Sequence, residues 1–288
     1  MLNSQTKGEV YAVSLTVIEA WFPVFASFSV MALGGLHAYF YSLSVAVFFL
    51  FLRWVFKKHN SDVFNKEARK NLALTSFYIT SLFALTFVAL EYTSATNVAI
   101  ILFLQILFGF LFLGRKPNEK LNFKQTVGAG LMTLGALLIL FPGTFVVNMG
   151  DLLVLTAAMI APIANTYQKR ARAQVSSETI LLIRSLIALP FIYILARVFE
   201  TTPTWSQVSE QWLWIVLTGF LVFFIAKILW IEAIYLLPIT KVNALFAFAP
   251  LLTMGLAYWL LGEIPNSYQV LGILPVLIGG YLITRKTN

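Results

Sequence analysis

Three ionisable residues stand well inside apolar stretches of this chain: Glu19, Arg184 and Lys227. Each costs a few kcal/mol in an apolar, water-poor setting and is kept there by a partner, a cavity or a function. Glu19 shares a helical face with Phe22, Pro23 and Ala26 by i+3, i+4 and i+7 spacing, so it points at the interior of a bundle. Its carboxylate has the chemistry of a proton-coupling group or an anchor for a solute amine; the blander reading is an interhelical salt bridge or hydrogen bond. Arg184 offers a planar fork suited to a carboxylate or phosphate, and Lys227 offers a point charge one turn from Trp230. Either could pair with Glu19, and either could instead snorkel to lipid headgroups. If both face a cavity, that cavity is net positive and favours an anionic or zwitterionic solute.

Amides and aromatic residues extend the candidate set. Gln105 and Asn165 lie deep in their runs, where they bind a ligand or glue helices together through bonds of roughly 0.6–2 kcal/mol. Trp21 and Trp230 are deep enough to stack on a solute, whereas Trp205, Trp212 and Trp214 fit an interfacial belt. Pro23, Pro162, Pro190, Pro250 and Pro275 interrupt apolar runs, and Pro23, Pro162 and Pro250, with Asn243, are candidates for helix bending or gating. Glu91 and Glu232 fall near run ends, where a solvated or headgroup-paired carboxylate is the simpler account.

The elements that position these groups follow from composition. The 288 residues are 59% hydrophobic and 11% charged, with a mean hydropathy of +0.84, far outside soluble norms. The apolar residues fall in ten runs, 9–31, 36–56, 71–92, 95–114, 123–143, 151–170, 178–199, 211–235, 239–261 and 267–284, each about the length that spans a bilayer core. The expected fold is an all-α integral membrane protein of ten helices. The first run is too long for a signal-peptide core and lacks a small-residue cleavage site.

Lysine and arginine orient the runs. Six lie between the second and third (Arg53, Lys57, Lys58, Lys66, Arg69, Lys70) and four between the fourth and fifth (Arg115, Lys116, Lys120, Lys124). Lys169, Arg170 and Arg172 follow the sixth run, Lys241 opens the ninth, and Arg285 and Lys286 close the chain; the alternate connections hold only Arg197. The positive-inside rule then puts both termini in the cytoplasm. Topology accounts for the net charge of +8 without a nucleic-acid partner. There is no cysteine, so disulfides and thiol chemistry are excluded. His37 and His59 lie far apart, and no metal site or cofactor is expected.

A repeat organises the chain. Glu119 and Glu263 are 144 positions apart, half of 288, and at the same offset Asn122, Gln125, Gly128 and Gly135 fall on Asn266, Gln269, Gly272 and Gly279. Two halves, 1–145 and 146–288, of five helices each imply that the second enters the membrane from the opposite side, as in many secondary transporters. Gly8-Glu9 and Gly150-Asp151 fit the same scheme, each expected to place a carboxylate at a helix N-terminus.

The chain resembles the EamA-like family of the drug/metabolite transporter superfamily. The likeness is carried by Trp21-Phe22-Pro23-Val24, Phe87-Val88-Ala89-Leu90 running into Tyr92-Thr93-Ser94-Ala95, Gly150-Asp151, Pro250, Leu260-Leu261-Gly262-Glu263, Gly272 and Gly279. It implies two inverted five-helix repeats around a solute site. The first half departs from the pattern with Ile106 opposite Pro250 and Leu113-Gly114-Arg115 in place of a Leu-Gly-Glu turn. A basic residue frequent in the family's second helix is represented only by Phe40 or Tyr41, while its counterpart Arg184 is present. The two gates are therefore expected to differ.

The resulting expectation is a secondary transporter, not an enzyme, in the plasma (inner) membrane of a prokaryote. It would move a small solute, an amino acid or similar zwitterion or anion, by alternating access, in export or exchange, with proton coupling at Glu19. Lipids and the solute are its expected partners. The rivals are a membrane-embedded enzyme acting on lipid headgroups, disfavoured by the lack of an H-E-x-x-H, a thiol or a phosphate-cradling loop, and a channel or receptor of the same architecture.

Overall fold

The computed structural model describes residues 3–56, 65–113, 123–141 and 148–284. Among these residues the elements are all helical: α1 (Ser4–Glu19), α2 (Phe22–Leu33), α3 (Gly35–Phe56), α4 (Arg69–Ala89), α5 (Ala95–Phe103), α6 (Gln105–Leu113), α7 (Phe123–Leu140), α8 (Met149–Arg172), α9 (Ser177–Phe199), α10 (Trp205–Glu210), α11 (Trp212–Leu217), a π-helical segment (Thr218–Ala226), α12 (Lys227–Leu236), α13 (Ile239–Leu245), a 3₁₀ turn (Phe246–Phe248), α14 (Ala249–Leu261) and α15 (Ser267–Thr284). Nine helical segments of the described residues are long and apolar enough to cross a membrane, and Ser267–Ile283 is a shorter apolar helix. The Glu119 turn with Asn122, the Gly114-Arg115 dipeptide, His59 and the terminal basic pair lie outside the described residues.

A bilayer requires every backbone polar group to be satisfied within the chain, which is why runs of this composition become helices. The outward faces fit an apolar solvent. On α15 the exposed side chains Leu271, Leu274, Ile278 and Tyr281 recur at helical spacing, an apolar stripe turned outward rather than inward. On α8 the inward face is instead small, with Ala157, Ala158, Ala161 and Ala164 buried. Helix association in lipid depends on such small residues, because apolar bulk gains nothing over lipid tails.

Glycine makes the closest approach. A Cβ on Gly135 would sit 2.5 Å from the Gly272 carbonyl oxygen, and one on Gly128 would sit 2.8 Å from that of Gly279. Helices α7 and α15 therefore meet backbone to backbone, and the glycines that correspond in the repeat are crossed in space. The other main pairings are α4 with α8, α3 with α9, and α1 with α12. Each joins one helix of either half, so the halves interleave.

Several runs are not single helices. The first is broken at Ala20-Trp21 and the fourth at Leu104, the eighth contains the π-helical segment, and the ninth passes through the 3₁₀ turn. Pro23 and Pro250 occupy the first turns of α2 and α14, where a missing N–H costs nothing. Pro162, Pro190 and Pro275 stay inside continuous helices, which corrects the expectation that all five interrupt. Proline removes one N–H, whereas unwinding in lipid would strand several backbone groups. The residues flanking the breaks in the first and ninth runs, Glu19, Phe22, Phe246 and Ala249, line one shared cavity.

The central cavity and its two ends

A cavity of about 100 Å³ lies between α1–α2, α4, α5–α6, α8, α9, α12 and the α13–α14 break, and its wall includes Glu19, Gln105, Asn165, Arg184, Lys227 and Trp230. Pro23 and Pro250 border it as well. Six of the seven residues expected to contact solute thus come together. Trp21 does not line it: the break after Glu19 turns Trp21 away to stack on Phe25 at 5.1 Å. Pro162 and Asn243 also lie off the wall, on α8 and α13.

Lys227 Nζ donates to Glu19 Oε1 at 2.5 Å, with side-chain exposures of 11% and 9%. The same ammonium lies 4.8 Å from the Phe83 ring centroid, a cation–π contact strengthened by desolvation. Lys227 is therefore turned inward and does not snorkel. Glu19 ends α1, where the helix dipole is unfavourable to an anion, so the lysine supplies its compensation. The π-helical segment immediately before Lys227 widens the helix there, a distortion that recurs at functional positions.

Arg184 is buried at 5% exposure and donates from Nη1 to Gln168 Oε1 at 2.7 Å. Among the described residues no carboxylate lies within ion-pair distance of it. Trp230 Nε1 donates to Asn165 Oδ1 at 3.0 Å, and Asn165 Nδ2 reaches Gln105 Oε1 at 3.5 Å. Gln168 is a cavity residue absent from the candidates above, hidden by its place beside the basic run end. The sequence does carry its signal: Ala161, Asn165 and Gln168 recur at i, i+4 and i+7 on one face, and all three line the cavity. Glu19 and Lys227 cancel, leaving the guanidinium as net charge.

Each end of the cavity is tied by contacts between the halves. At the end holding the termini, Lys241 Nζ pairs with Glu9 Oε1 across the halves, and within the second half Lys169 Nζ donates to the Leu237 carbonyl at 3.2 Å. At the far end, Thr93 Oγ1 donates to Asp151 Oδ1 at 2.5 Å, and Asn97 Nδ2 donates to both Asp151 oxygens at 3.0 and 3.2 Å. Gln269 Nε2 then donates to Asn97 Oδ1 at 2.7 Å. Glu263 accepts from the Ala95 and Thr96 amides at 2.8 and 3.1 Å, capping α5 at the end where the dipole favours a carboxylate. Helix α1 begins at Ser4, so Glu9 lies beyond its first turn, unlike Asp151, which is in the first turn of α8.

Two carboxylates near run ends take up protein partners: Glu91 keeps solvent exposure, as expected, while capping a helix, and Glu232 is partly buried in an ion pair. Glu91 accepts from the Gly35 amide at 2.5 Å beside Glu200, which accepts from the Leu36 and His37 amides at 2.6 and 3.0 Å and contacts His37 Nδ1 at 2.8 Å. Burial, followed by the proximity of Glu200, holds the Glu91 carboxyl above its ordinary value, against the lowering effect of the Gly35 amide. Gly34 has φ +85°, and a Cβ there would meet the Glu200 carboxylate at 2.7 Å. Glu232 forms a two-point pair with Arg172 at 2.8 and 3.2 Å. Among the described residues no cluster of three His, Cys, Asp or Glu side chains could hold a metal ion.

A multi-pass helical bundle around a buried, charged cavity, tied at both ends across its halves, has the construction of a membrane transporter. The chain belongs to the EamA-like transporter family, which it matches over residues 6–141 and again over 148–285, and it is a transporter, not an enzyme. It is 24% identical over 209 residues to an uncharacterized transporter of Synechocystis sp., covering 69% of this chain and 60% of that protein. It is likewise 24% identical over 249 residues to an uncharacterized transporter of Archaeoglobus fulgidus, covering 83% of this chain and 84% of the other. A solved crystal structure superposes with a TM-score of 0.72 at 17% identity over 96% of each chain, a likeness of fold.

Proposed function

We propose that the chain is a secondary transporter for a small zwitterionic or anionic metabolite, an amino acid or a close analogue, working by alternating access in export or exchange. The observation that carries the solute class is Arg184, a buried guanidinium without a described carboxylate partner, facing a cavity whose other two charges neutralise each other. An uncompensated buried charge costs several kcal/mol, and a solute carboxylate or phosphate removes that cost while gaining a bidentate contact. A cavity of about 100 Å³ is small against the roughly 300–1,000 Å³ of drug-sized sites, which favours a compact solute. Glu19 is the partner for a solute amine, which would displace Lys227.

The ties at the two ends act as alternating gates in this reading, which is supported by their matching positions in the two halves: Glu9 with Lys241 and Asp151 with Asn97. Two halves of 1–145 and 146–288, inverted in the membrane, follow from the odd number of crossings in each. The cytoplasmic side is then the termini side, where the connecting Lys and Arg cluster, and the relatives support a prokaryotic plasma membrane.

A thermal-shift panel of amino acids, sugar phosphates, nucleosides and polyamines on the purified protein tests the solute class. Stabilisation by a solute bearing a carboxylate or phosphate, lost in Arg184→Gln, is the expected result; stabilisation by polyamines alone would overturn it. Glu19→Gln should in addition abolish gradient-driven accumulation in proteoliposomes while counterflow persists, and unchanged accumulation would remove Glu19 from coupling.

A further inference from the structure

Two described carboxylates are buried to 4% exposure or less, Glu178 and Asp151. Glu178 is paired with Arg53 at 2.9 Å. Among the described residues Asp151 has no cation within ion-pair distance, and its side-chain partners are the neutral donors Thr93 and Asn97. The first-turn position on α8 lends it a partial dipole but no counter-ion. At the other end of the bundle the corresponding carboxylate, Glu9, is answered by Lys241, so one tie is an ion pair and the other a lone carboxylate. A vestibule of about 540 Å³ leads from the far end to the donors of Asp151, lined by Thr93, Asn97, Asn148 and Gln269 together with the carboxylates Glu91 and Glu263.

From this geometry we infer that Asp151 is a proton-binding latch for the far-side gate. It accepts from Thr93 and Asn97, holding the start of α8 against α5 and, through Asn97, against Gln269 on α15. Charge on a buried carboxyl without a counter-ion is penalised, and a proton arriving through the vestibule removes that penalty, which outweighs the weakening of the two bonds it accepts. Proton binding therefore keeps the far side closed, and proton loss favours the hydrated, open side. The other titratable groups facing this region are Glu91 and Tyr92 at the end of α4 and Glu263 on the α14–α15 connection, and no cation of the described vestibule wall opposes the effect. Glu91 acts in the same sense, because burial likewise favours its protonated form, and the Glu91→Gln variant separates the two.

The inference rests on the alternating-access reading, and its test is separate from transport. The chain lacks cysteine, so spin labels can be placed at Met149→Cys and Ile264→Cys, both exposed, and their separation read by dipolar electron resonance. Between about pH 8 and about pH 5, the upper part of the range in which carboxyls of folded proteins titrate, the native latch should pass from a longer to a short distribution. Asp151→Asn, which carries no charge, should give the short distribution at every pH, and Thr93→Val should move the transition to higher pH, since it loses a bond to the charged form. A distribution indifferent to pH, or a pH response that survives Asp151→Asn and disappears in Glu91→Gln, would overturn the inference. Transport with a pH-indifferent gate would overturn it alone, whereas gates that stay rigid in the presence of a transported solute would count against alternating access itself.

Discussion

Lys227 and Glu19 are 208 positions apart in the chain and 2.5 Å apart in the bundle, joining the end of α1 to the start of α12 across the two halves. Breaking a buried pair from one side leaves the other charge uncompensated and costs about 3–5 kcal/mol, while replacing both by neutral groups is often nearly neutral. Glu19→Gln and Lys227→Met should each lower the unfolding midpoint in detergent, and the double variant should recover most of the loss. Additive losses would show that the two side chains are not paired. Gradient-driven accumulation by the double variant should still fail, because the carboxylate proposed to couple it is gone.

Packing of α7 on α15 gives a second expectation. Gly135→Val or Gly272→Val must push apart two backbones in contact, and overpacking of this kind costs about 1–3 kcal/mol. A Cβ on Gly130 or on Gly255 would instead meet no heavy atom within 4 Å, so Gly130→Ala should be neutral or stabilising by about 0.5–1 kcal/mol. Equal effects at Gly130 and Gly135, read as thermal midpoints, would refute the backbone contact.

Much of the fold is legible in the sequence because lipid permits few solutions: a run of about 20 apolar residues can only be a helix there. The depth of Glu19, Arg184 and Lys227 likewise marks them, since charge is costly anywhere along such a run. What the chain does not display is which charges meet. The Glu19–Lys227 pair, the Asp151–Asn97 tie and the Glu91–Glu200–His37 group each depend on helices distant in sequence, and Glu91 and Asp151 read as ordinary end residues. Trp21 leaves its expected place because the backbone breaks where composition reads as one continuous helix, and a break of one residue turns the following side chain by about 100°.

Glu91 carries a pH dependence whose sign is fixed. Its carboxyl lies above the ordinary value of 4.5 in the folded protein, through burial and then through Glu200, so folding favours the protonated form. The stability it contributes is complete below about pH 4.5 and is lost as the pH rises through its folded value. Thermal midpoints measured against pH should therefore fall with rising pH in the native protein relative to Glu91→Gln, which is neutral throughout. Parallel profiles for the two proteins would exclude Glu91 as the titrating group.

The two buried amides separate glue from ligand contact. Asn165 spends its oxygen on the Trp230 indole at 3.0 Å, so Asn165→Leu strands a buried donor and should cost about 1–3 kcal/mol of stability. Gln105 touches Asn165 only at 3.5 Å, at the limit of a hydrogen bond, and otherwise presents its amide to the cavity. Gln105→Leu should therefore leave the unfolding midpoint of the solute-free protein nearly unchanged and reduce the shift produced by a bound solute. A large stability loss at Gln105 with an intact solute response would make it glue and Asn165 the better candidate for contact. The assignment follows from geometry: an amide whose bonding capacity is taken up within the wall has little left for a solute, and one that is nearly unbonded at the cavity wall has its capacity free for one.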